Sequence, residues 1–533
     1  MSNNSFVRKF TRRHWLKLAL GAGAGAALAA CAPKVVKETV VVKEVVKETV
    51  EVEKVVKEAV EVEKEVTRVV EKVVEKAVPA PAEKVVIRYW LPPTTEQAYR
   101  EKMIKEFMDL NPEIEIKMDG ADPSKYNEAT QLLFKGGTPP DVFWKFNLSM
   151  PEMLDNNMIQ PYPEDAQNYI MGAYPKSMFL EGINTWEGKL YGFWPVGPKT
   201  ATRVLYINNK LLDAAGIEPP KTWGEFREAA KKLTEAGKGQ SYGLIIGGKS
   251  PWDYTALVGI LATTAGPMAG VDENTCMDWT AARMTIGDDY LVAALKLCLD
   301  MQQEGSLFPG FSTISHTEAR AGLANGWAGM YLGGWWDAGA YNTQFPDFDY
   351  SIMTPPINDA GRMGYNHGST FIDRVYVSKE AKHLDAIAKF LKFKFGPAYQ
   401  RGWARNGWFT TLPEANEPDN IADPKVQALF KISEDIRTVP EPIARNAQQA
   451  KVTAERKALH PNWGELLGGA FTGQVSLDDY RVQSKDYADK WRAELERAIN
   501  EVKGRGVNVS IDDWIFPNWD PNKDYTTDMY GAL

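Results

Sequence analysis

Apolar positions near the start of the folded part alternate between strand spacing and helix spacing. Val85–Trp90 is a strand by composition, because it is rich in β-branched and aromatic residues. Glu96–Leu110 has apolar side chains at helical spacing, with Phe107 and Leu110 on one side. A second strand is predicted at Ile114–Met118. This strand–helix–strand order predicts a parallel sheet that is covered by helices.

The same alternation continues through most of the chain. Further strands are predicted at Asp141–Trp144, Val204–Ile207, Tyr242–Ile246 and Arg374–Val377. Further helices are predicted at Thr222–Thr234, Tyr290–Gln303 and Leu384–Phe395. The length of 533 residues exceeds what one hydrophobic core usually fills, so we expect an α/β protein with at least two lobes.

The first thirty residues have the pattern of an export signal. The basic pair Arg12 and Arg13 is followed by an aromatic residue and a leucine, and an apolar run at residues 18–29 comes next. This run is too short to cross a bilayer, which needs about 20 residues, so the pattern predicts a signal peptide over residues 1–30. The arginine pair resembles the twin-arginine export signal, and adjacent arginines in an ordinary signal are the alternative.

Residues 28–31 (LAAC) resemble a bacterial lipobox. That resemblance implies cleavage before Cys31 and acylation of its sulfur and its new amino group. Buried acyl chains hold a protein at a membrane with ~0.8 kcal/mol per CH₂. We therefore expect an exported protein that is lipid-anchored to the outer face of the cytoplasmic membrane, at the cell surface or in the periplasm.

A low-complexity segment separates this signal from the folded part. Residues 35–78 consist almost entirely of Val, Glu and Lys, with 19 valines among 44 positions. The decamer Val45–Lys54 recurs nearly unchanged at Val55–Lys64. The segment has no aromatic residue and cannot make a packed core. We interpret residues 31–83 as a stalk that lifts the body off the membrane, and self-association as a coiled coil is the alternative.

Charge and cysteine content exclude several classes of protein. The formal charge is −8, and residues 1–30 carry five basic side chains and no acidic one, so the exported part is more acidic still. Such a chain is a poor partner for nucleic acid. The cysteines and histidines are scattered, so no metal site is predicted. Cys276 and Cys298 either form a disulfide or stay buried as free thiols.

Several short motifs follow one another in the body of the chain. They are Glu106–Pro112, Gly136–Trp144, Gly188–Gly192, Leu205–Lys210, Pro219–Trp223, Gly322–Met330, Gly333–Trp336, Val377–Lys379, Ala386–Phe395 and Gly468–Leu477. In this order and spacing, they resemble the family 1 extracellular solute-binding proteins, the group that includes maltose-binding protein. The resemblance covers most of residues 84–500.

This resemblance implies a two-lobed α/β fold of the periplasmic-binding-protein type, in which each lobe uses discontinuous parts of the chain. We expect lobe 1 at residues 84–198 plus 372–412 and lobe 2 at residues 199–371 plus 413–500, followed by an aromatic-rich tail at 501–533. Crossovers between such lobes act as hinges, and ligand contacts to both lobes favour the closed state.

The resemblance also implies a function. The protein would be the substrate-binding subunit of an ABC importer, which binds a sugar or oligosaccharide between its lobes and delivers it to permease subunits in the membrane. We therefore expect a monomeric binding protein that needs no cofactor and is not an enzyme.

The positions of the family's pocket carry aromatic and polar side chains. A sugar ring offers an apolar C–H face to an indole and a rim of hydroxyl groups, and a buried polar group without a partner costs about 1–3 kcal/mol. The candidate ligand contacts are Trp335, Trp336, Trp252, Trp144, Asn147, Trp90, Thr95, Trp194, Trp408 and Asn366. Asp337 and Glu96 are further candidates for polar contacts.

The residues alone are also compatible with other functions. A glycerol-phosphate ligand would need a cation in the cleft, and Arg203, Arg374 and Lys145 are available. A secreted glycoside hydrolase would need two facing carboxyl groups about 5–9.5 Å apart. A structural surface lipoprotein would use the fold without a ligand. Residues 243–250 match the phosphate-loop pattern GxxxxGKS, but Pro251 directly after them disfavours a nucleotide site.

Overall fold

The computed structural model describes residues 84–532 apart from 124, 198, 201–202, 268–269, 274, 369–371 and 418. The predicted signal peptide with Arg12 and Arg13, the predicted lipidation site Cys31 and the predicted stalk lie outside the described residues. From Lys84 onward the chain forms one compact unit. Within the residues described, no helix combines the length and the apolar character needed to cross a bilayer.

The secondary structure alternates between short strands and helices. The strands are β1 (Val85–Trp90), β2 (Ile114–Asp119), β3 (Val142–Trp144), β4 (Ile159–Gln160), β5 (Thr185–Trp186), β6 (Lys189–Leu190), β7 (Gly192–Phe193), β8 (Val204–Asn208), β9 (Tyr242–Leu244), β10 (Met277–Asp278), β11 (Arg283–Met284), β12 (Ala328–Gly333), β13 (Tyr350–Met353), β14 (Asn366–Gly368), β15 (Val375–Ser378) and β16 (Ile436–Thr438). The helices are α1 (Gln97–Leu110), α2 (Tyr126–Lys135), α3 (Met150–Asp155), α4 (Glu164–Ala173), α5 (Asn209–Ala215), α6 (Trp223–Gly237), α7 (Pro251–Ala262), α8 (Asp289–Gln303), α9 (His316–Ala324), α10 (Trp336–Gln344), α11 (Leu384–Lys394), α12 (Pro397–Arg405), α13 (Pro424–Ser433), α14 (Pro442–Arg445), α15 (Gln449–Glu455), α16 (Trp463–Phe471) and α17 (Leu477–Gly504).

The first sheet has the strand order β2-β1-β3-β15-β4, and β7 pairs with β15. β1 lies parallel to β2 and to β3. β15 runs antiparallel to β3, β4 and β7. The prediction of a parallel sheet was therefore right for β1, β2 and β3 and wrong for the sheet as a whole. The reason is that β15 returns from the second sheet and enters at the edge where β1 and β3 end.

The second sheet has the strand order β13-β8-β12-β9. β12 lies parallel to β9 and antiparallel to β8, which also pairs antiparallel with β13. The chain leaves the first sheet after β7, builds the second sheet from β8 to β13, and returns at β15. The fold is thus α/β with two lobes, each built around its own sheet, and crossovers join them.

Helix α1 buries one side against the first sheet. Met103, Ile104 and Phe107 are buried, whereas Leu110 is 67% exposed. Leu110, which helical spacing places on the same side as Phe107, is therefore not covered. It is the last residue of the helix, where the chain turns back toward β2.

The two cysteines of the body do not pair. Cys276 and Cys298 are buried free thiols. Burial raises the pKa of both, that of Cys298 to about 12. Of the two alternatives for these residues, the free thiols are correct.

The tail packs against the second lobe. The rings of Trp514 and Trp279 stack with centres 6.3 Å apart and planes 18° apart. The backbone N–H of Tyr525 donates to the carbonyl of Thr438 at 3.2 Å. The aromatic residues of the tail therefore extend the core of this lobe.

Candidate functional site

One edge of each sheet carries charged and aromatic side chains. β15 begins beside Trp144, the last residue of β3, and β8 begins beside Gly333, the last residue of β12. Arg374 directly precedes β15, and Arg203 directly precedes β8. The two arginines therefore occupy equivalent positions, each where the chain enters a lobe. In open α/β sheets, ligands bind at the edge where parallel strands end.

Two tryptophans and an arginine form a stacked group at this edge of the second sheet. We call Trp252, Trp336 and Arg203 the aromatic platform. The two rings lie 6.1 Å apart with planes 26° apart, and the guanidinium carbon lies 4.1 Å from the centre of the Trp252 ring and 5.2 Å from that of Trp336. Burial lowers the pKa of Arg203, whereas Trp252 is 40% exposed. The platform can therefore receive the apolar face of a ligand.

The buried carboxylate of Asp337 ties the start of α10, which carries Trp336, to the loop before it and to α9. The backbone N–H of Gly334 donates to Asp337 Oδ2 at 2.9 Å, and Arg320 Nη1 donates to Asp337 Oδ1 at 3.1 Å. Burial alone would raise the pKa of Asp337, but His316 and Arg320 lower it. Because Asp337 is fully buried and occupied by these partners, it presents no surface to a ligand.

The imidazole of His316 joins this group from α9. Trp336 Nε1 donates to His316 Nε2 at 3.0 Å, and Asp337 Oδ1 lies 3.2 Å from the same nitrogen. Tyr331 Oη lies 2.8 Å from Nδ1, and Asp253 Oδ1 lies 3.5 Å from it. Burial alone would lower the pKa of His316, but the two carboxylates raise it above its usual value.

The first sheet carries a second stacked group. The guanidinium carbon of Arg374 lies 5.0 Å from the centre of the Trp144 ring and 5.5 Å from that of Trp194. The two indoles meet edge to face, with centres 5.0 Å apart. Both are buried, and Trp144 Nε1 donates to Tyr89 Oη at 3.2 Å. This group is therefore a buried wall of the lobe, whereas the platform of the second lobe includes an indole that is open to solvent.

Buried charges lie behind this wall. Arg100 Nη2 lies 3.4 Å from Glu96 Oε2, and both side chains are buried. Lys394 Nζ lies 4.8 Å from the centre of the Tyr399 ring, and burial lowers its pKa well below the usual value. Among the residues that the structure describes, no cluster of His, Cys, Asp and Glu is placed to hold a metal ion.

The sequence model of the bacterial extracellular solute-binding protein family matches residues 92–401, more than half of the chain. The chain belongs to this family. The match takes in strands of both sheets and both stacked groups, so the family relationship extends to the edges where this solute-binding protein carries its aromatic and charged side chains.

Relatives and solved structures agree with this assignment. The multiple sugar-binding protein of Streptococcus mutans is 24% identical over 326 residues, 60% of this chain and 73% of the relative. The sn-glycerol-3-phosphate-binding periplasmic protein of Agrobacterium fabrum is 25% identical over 239 residues, 43% of this chain and 52% of the relative. The GacH receptor of Streptomyces glaucescens, solved without ligand and with acarbose, has a TM-score of 0.60 at 17% identity and covers 77% of this chain and 98% of its own.

The structure of this solute-binding protein separates the candidate ligand contacts into two sets. Those with accessible surface are Trp252, Trp336, Trp90, Thr95 and Asn147. Those that are buried are Trp335, Trp144, Trp194, Trp408 and Asn366. A buried indole has no face available for stacking on a ligand in this conformation, so the first set is the accessible part of the site.

The two neighbouring tryptophans at the start of α10 differ in environment. Trp335 is 9% exposed and packs edge-on against Phe409, with ring centres 5.5 Å apart. Trp336 is half-buried and stacks on Trp252 as part of the platform. Trp408 is completely buried, and a Cβ atom at Gly339 would lie 2.2 Å from its ring.

Two of the accessible candidates in the first lobe have polar partners within the protein. Trp90 Nε1 donates to Thr130 Oγ1 at 2.9 Å. Gln131 Nε2 donates to Asn147 Oδ1 at 3.0 Å. Both partners lie on α2, which therefore orients this side of the site.

His316 was missed by sequence reasoning as a residue of the site. One local signal existed, because Ser315 and Glu318 form a capping box that fixes the start of α9 at His316. That signal predicts a helix start and says nothing about a neighbour 20 residues further on, since only the tertiary fold brings Trp336 to it.

Proposed function

We propose that this protein is the substrate-binding lipoprotein of an ABC importer, which takes up a sugar or oligosaccharide between its lobes and passes it unaltered to a membrane permease. The observation that carries the proposal is the platform, since Trp252 is 40% exposed beside Trp336 at the ligand-binding edge of its sheet. The C–H face of a sugar ring stacks on such a surface. The sugar-binding relative and the acarbose-bound receptor support this ligand class.

Both lobes contribute to the proposed site. Trp90, Thr95 and Asn147 add the accessible contacts of the first lobe to the platform of the second. The buried candidates form the layer behind these side chains and would reach a solute only when the lobes open; they are Trp335, Trp144, Trp194, Trp408 and Asn366.

The proposed lobes are residues 84–198 plus 372–412 and residues 199–371 plus 413–500, with the tail at 501–533. The separate sheets support this division, since the first uses β1 to β4, β7 and β15 and the second uses β8, β9, β12 and β13. Hinged closure around a solute would create the state that a permease recognises.

We also propose where the protein works. Export would follow the twin-arginine signal at Arg12 and Arg13, and acylation of Cys31 would anchor a monomer to the outer face of the cytoplasmic membrane. The lipobox and the stalk sequence support this proposal.

A small phosphorylated solute, such as glycerol phosphate, is the second candidate. Lys145, whose side chain is 35% exposed and pairs with the buried Asp373, favours it because phosphate oxygens accept hydrogen bonds from such cations, and the buried Arg203 adds positive charge to the platform. The glycerol-phosphate-binding relative supports it as well.

A thermal-shift panel on the exported chain with Cys31→Ser separates these candidates. The panel contains glucose, maltose, maltotriose, xylobiose, chitobiose and glycerol 3-phosphate. A solute present at about 100 times its Kd should raise the free energy of unfolding by ~2.7 kcal/mol. Stabilisation by glycerol 3-phosphate alone would select the second candidate. Hydrolysed oligosaccharide in the mixture would contradict a binding function and indicate a glycoside hydrolase.

A further inference from the structure

We propose that His316 positions the Trp336 indole, and that proton uptake at its Nε2 atom releases the indole and weakens solute binding. The proposal rests on the proposed function, in which Trp336 stacks on the solute. His316 touches no solute in this scheme and acts through Trp336.

The Nε2 atom has two neighbours with opposite requirements. Trp336 Nε1 lies 3.0 Å away and can only donate, so this hydrogen bond needs an Nε2 without a proton. Asp337 Oδ1 lies 3.2 Å away and, when ionised, can only accept, so a hydrogen bond to it needs an Nε2 that carries a proton. The two hydrogen bonds therefore exclude each other.

The other ring nitrogen fits both states. Nδ1 carries the single proton of the neutral ring and has Tyr331 Oη at 2.8 Å and Asp253 Oδ1 at 3.5 Å as acceptors. It keeps the same proton and the same partners when Nε2 is protonated. The change on proton uptake is thus confined to Nε2 and the indole that donates to it.

Charged groups from every surrounding element act on this imidazole. Asp253 of α7 and Asp337 of α10 favour its charged form, whereas burial and Arg203, which precedes β8, oppose it. Arg320, one turn further along α9, is paired with Asp337. The net effect is a raised pKa, so the imidazole takes up its proton at a higher pH than a free imidazole does.

Asp337 keeps its other partners in both states. Arg320 Nη1 and the backbone N–H of Gly334 donate to its two oxygens whether or not His316 is charged. The added proton therefore strengthens an existing cluster, while the Trp336 N–H loses its acceptor and faces an N–H group. The Trp336 indole must then move away from Trp252, and the stacked surface that binds the solute is lost.

The expected effect on binding follows from the fraction of neutral His316. If the solute binds only when Nε2 is bare, its apparent Kd rises by about tenfold one pH unit below the pKa of His316 and by about a further tenfold for each unit below that.

The first test needs no solute. In protein with ¹⁵N-labelled tryptophans, the Trp336 indole N–H resonance is assigned from its loss in Trp336→Phe. Between pH 5 and 8.5 it should titrate with the same midpoint as the His316 ring, and it should be constant in His316→Gln, whose side-chain oxygen accepts at any pH. His383→Gln, at an exposed histidine, should titrate as the wild type does. A Trp336 resonance that does not move with His316 overturns the proposal.

The second test measures Kd against pH for the panel compound that stabilises most, starting with maltotriose. The wild type should lose affinity on acidification, and His316→Gln should not. The Kd of Trp336→Phe, which keeps a ring but has no N–H group, should also be independent of pH. This variant replaces His316→Gln in the test if His316→Gln does not fold. A constant Kd in the wild type, with a titrating indole, overturns the link to binding. If no compound of the panel binds, the proposed function is contradicted. The indole titration still tests whether His316 positions Trp336.

Discussion

The guanidinium carbon of Arg203 lies 4.1 Å from the centre of the Trp252 ring, and the arginine is 2% exposed. A buried planar cation thus lies against an indole that is 40% open to solvent. The arginine and Trp336 together fix the plane of the Trp252 ring, which projects from the first turn of α7. An exposed aromatic surface that is preorganised in this way loses little freedom when a solute binds to it.

Arg203→Lys should lower the free energy of unfolding by about 0.5–2 kcal/mol, because an ammonium group keeps the charge but loses the planar stacking on Trp252. Urea unfolding measures this. Arg283→Lys, at an ion pair whose arginine is 48% exposed, is the matched control and should change it by less than about 1 kcal/mol. Equal effects of the two changes would contradict the stacked arrangement.

Gly334→Ala should displace the Trp336 indole, because a Cβ atom at residue 334 would lie 2.2 Å from that ring. Overpacking of this kind costs about 1–3 kcal/mol of stability, and solute affinity should fall with it. Gly172→Ala, where a Cβ atom meets nothing within 4 Å, should be stable and bind normally. Melting curves with and without solute distinguish the two variants.

The His316 cluster should stabilise the unliganded protein more at lower pH. The pKa of His316 is raised in the folded state, so its contribution is complete below the unfolded value of about 6.5 and is lost as the pH rises through the folded value. The difference in unfolding free energy between wild type and His316→Gln should therefore shrink from pH 6 to pH 8.5. A difference that is constant over this range would show that the imidazole has no such coupling.

Trp408→Ala should cost about 3–5 kcal/mol, because the indole is fully buried against Gly339 and its removal leaves a cavity. Trp252→Ala should cost much less, since that ring is 40% exposed. Denaturant unfolding of both variants tests whether Trp408 belongs to the core. A small loss of unfolding free energy in Trp408→Ala would contradict the core position of Trp408 and favour its role as a ligand contact.

Much of the fold could be predicted from local pattern. β1 was predicted with its observed bounds and β2 to within one residue, because their alternation and β-branched content are local properties. The direction of β15 could not be predicted, since it depends on the route of the chain through the second sheet and back. The exposure of Leu110 could not be predicted either, because helical spacing alone does not show how far along the helix the sheet covers it.

The site was predictable as a region and less so as individual side chains. The glycine–tryptophan motif indicated Trp335 and Trp336 alike. In the structure Trp335 faces the core and Trp336 is part of the platform, a difference set by where α10 begins. The contact between His316 and Trp336 could not be predicted from the sequence, because it depends on two helices that meet only in the folded chain.

The proposed binding function requires a small solute that is held, unaltered, on the indoles of the second lobe. Calorimetric titration of the best panel compound into the wild type and three variants tests this most directly. Trp252→Ala and Trp336→Ala should each weaken binding at least about tenfold, a loss of ~1.4 kcal/mol. Trp327→Ala removes an equally exposed tryptophan that stacks on Phe308 instead, and it should bind as the wild type does. The same affinity in all four proteins would contradict the account.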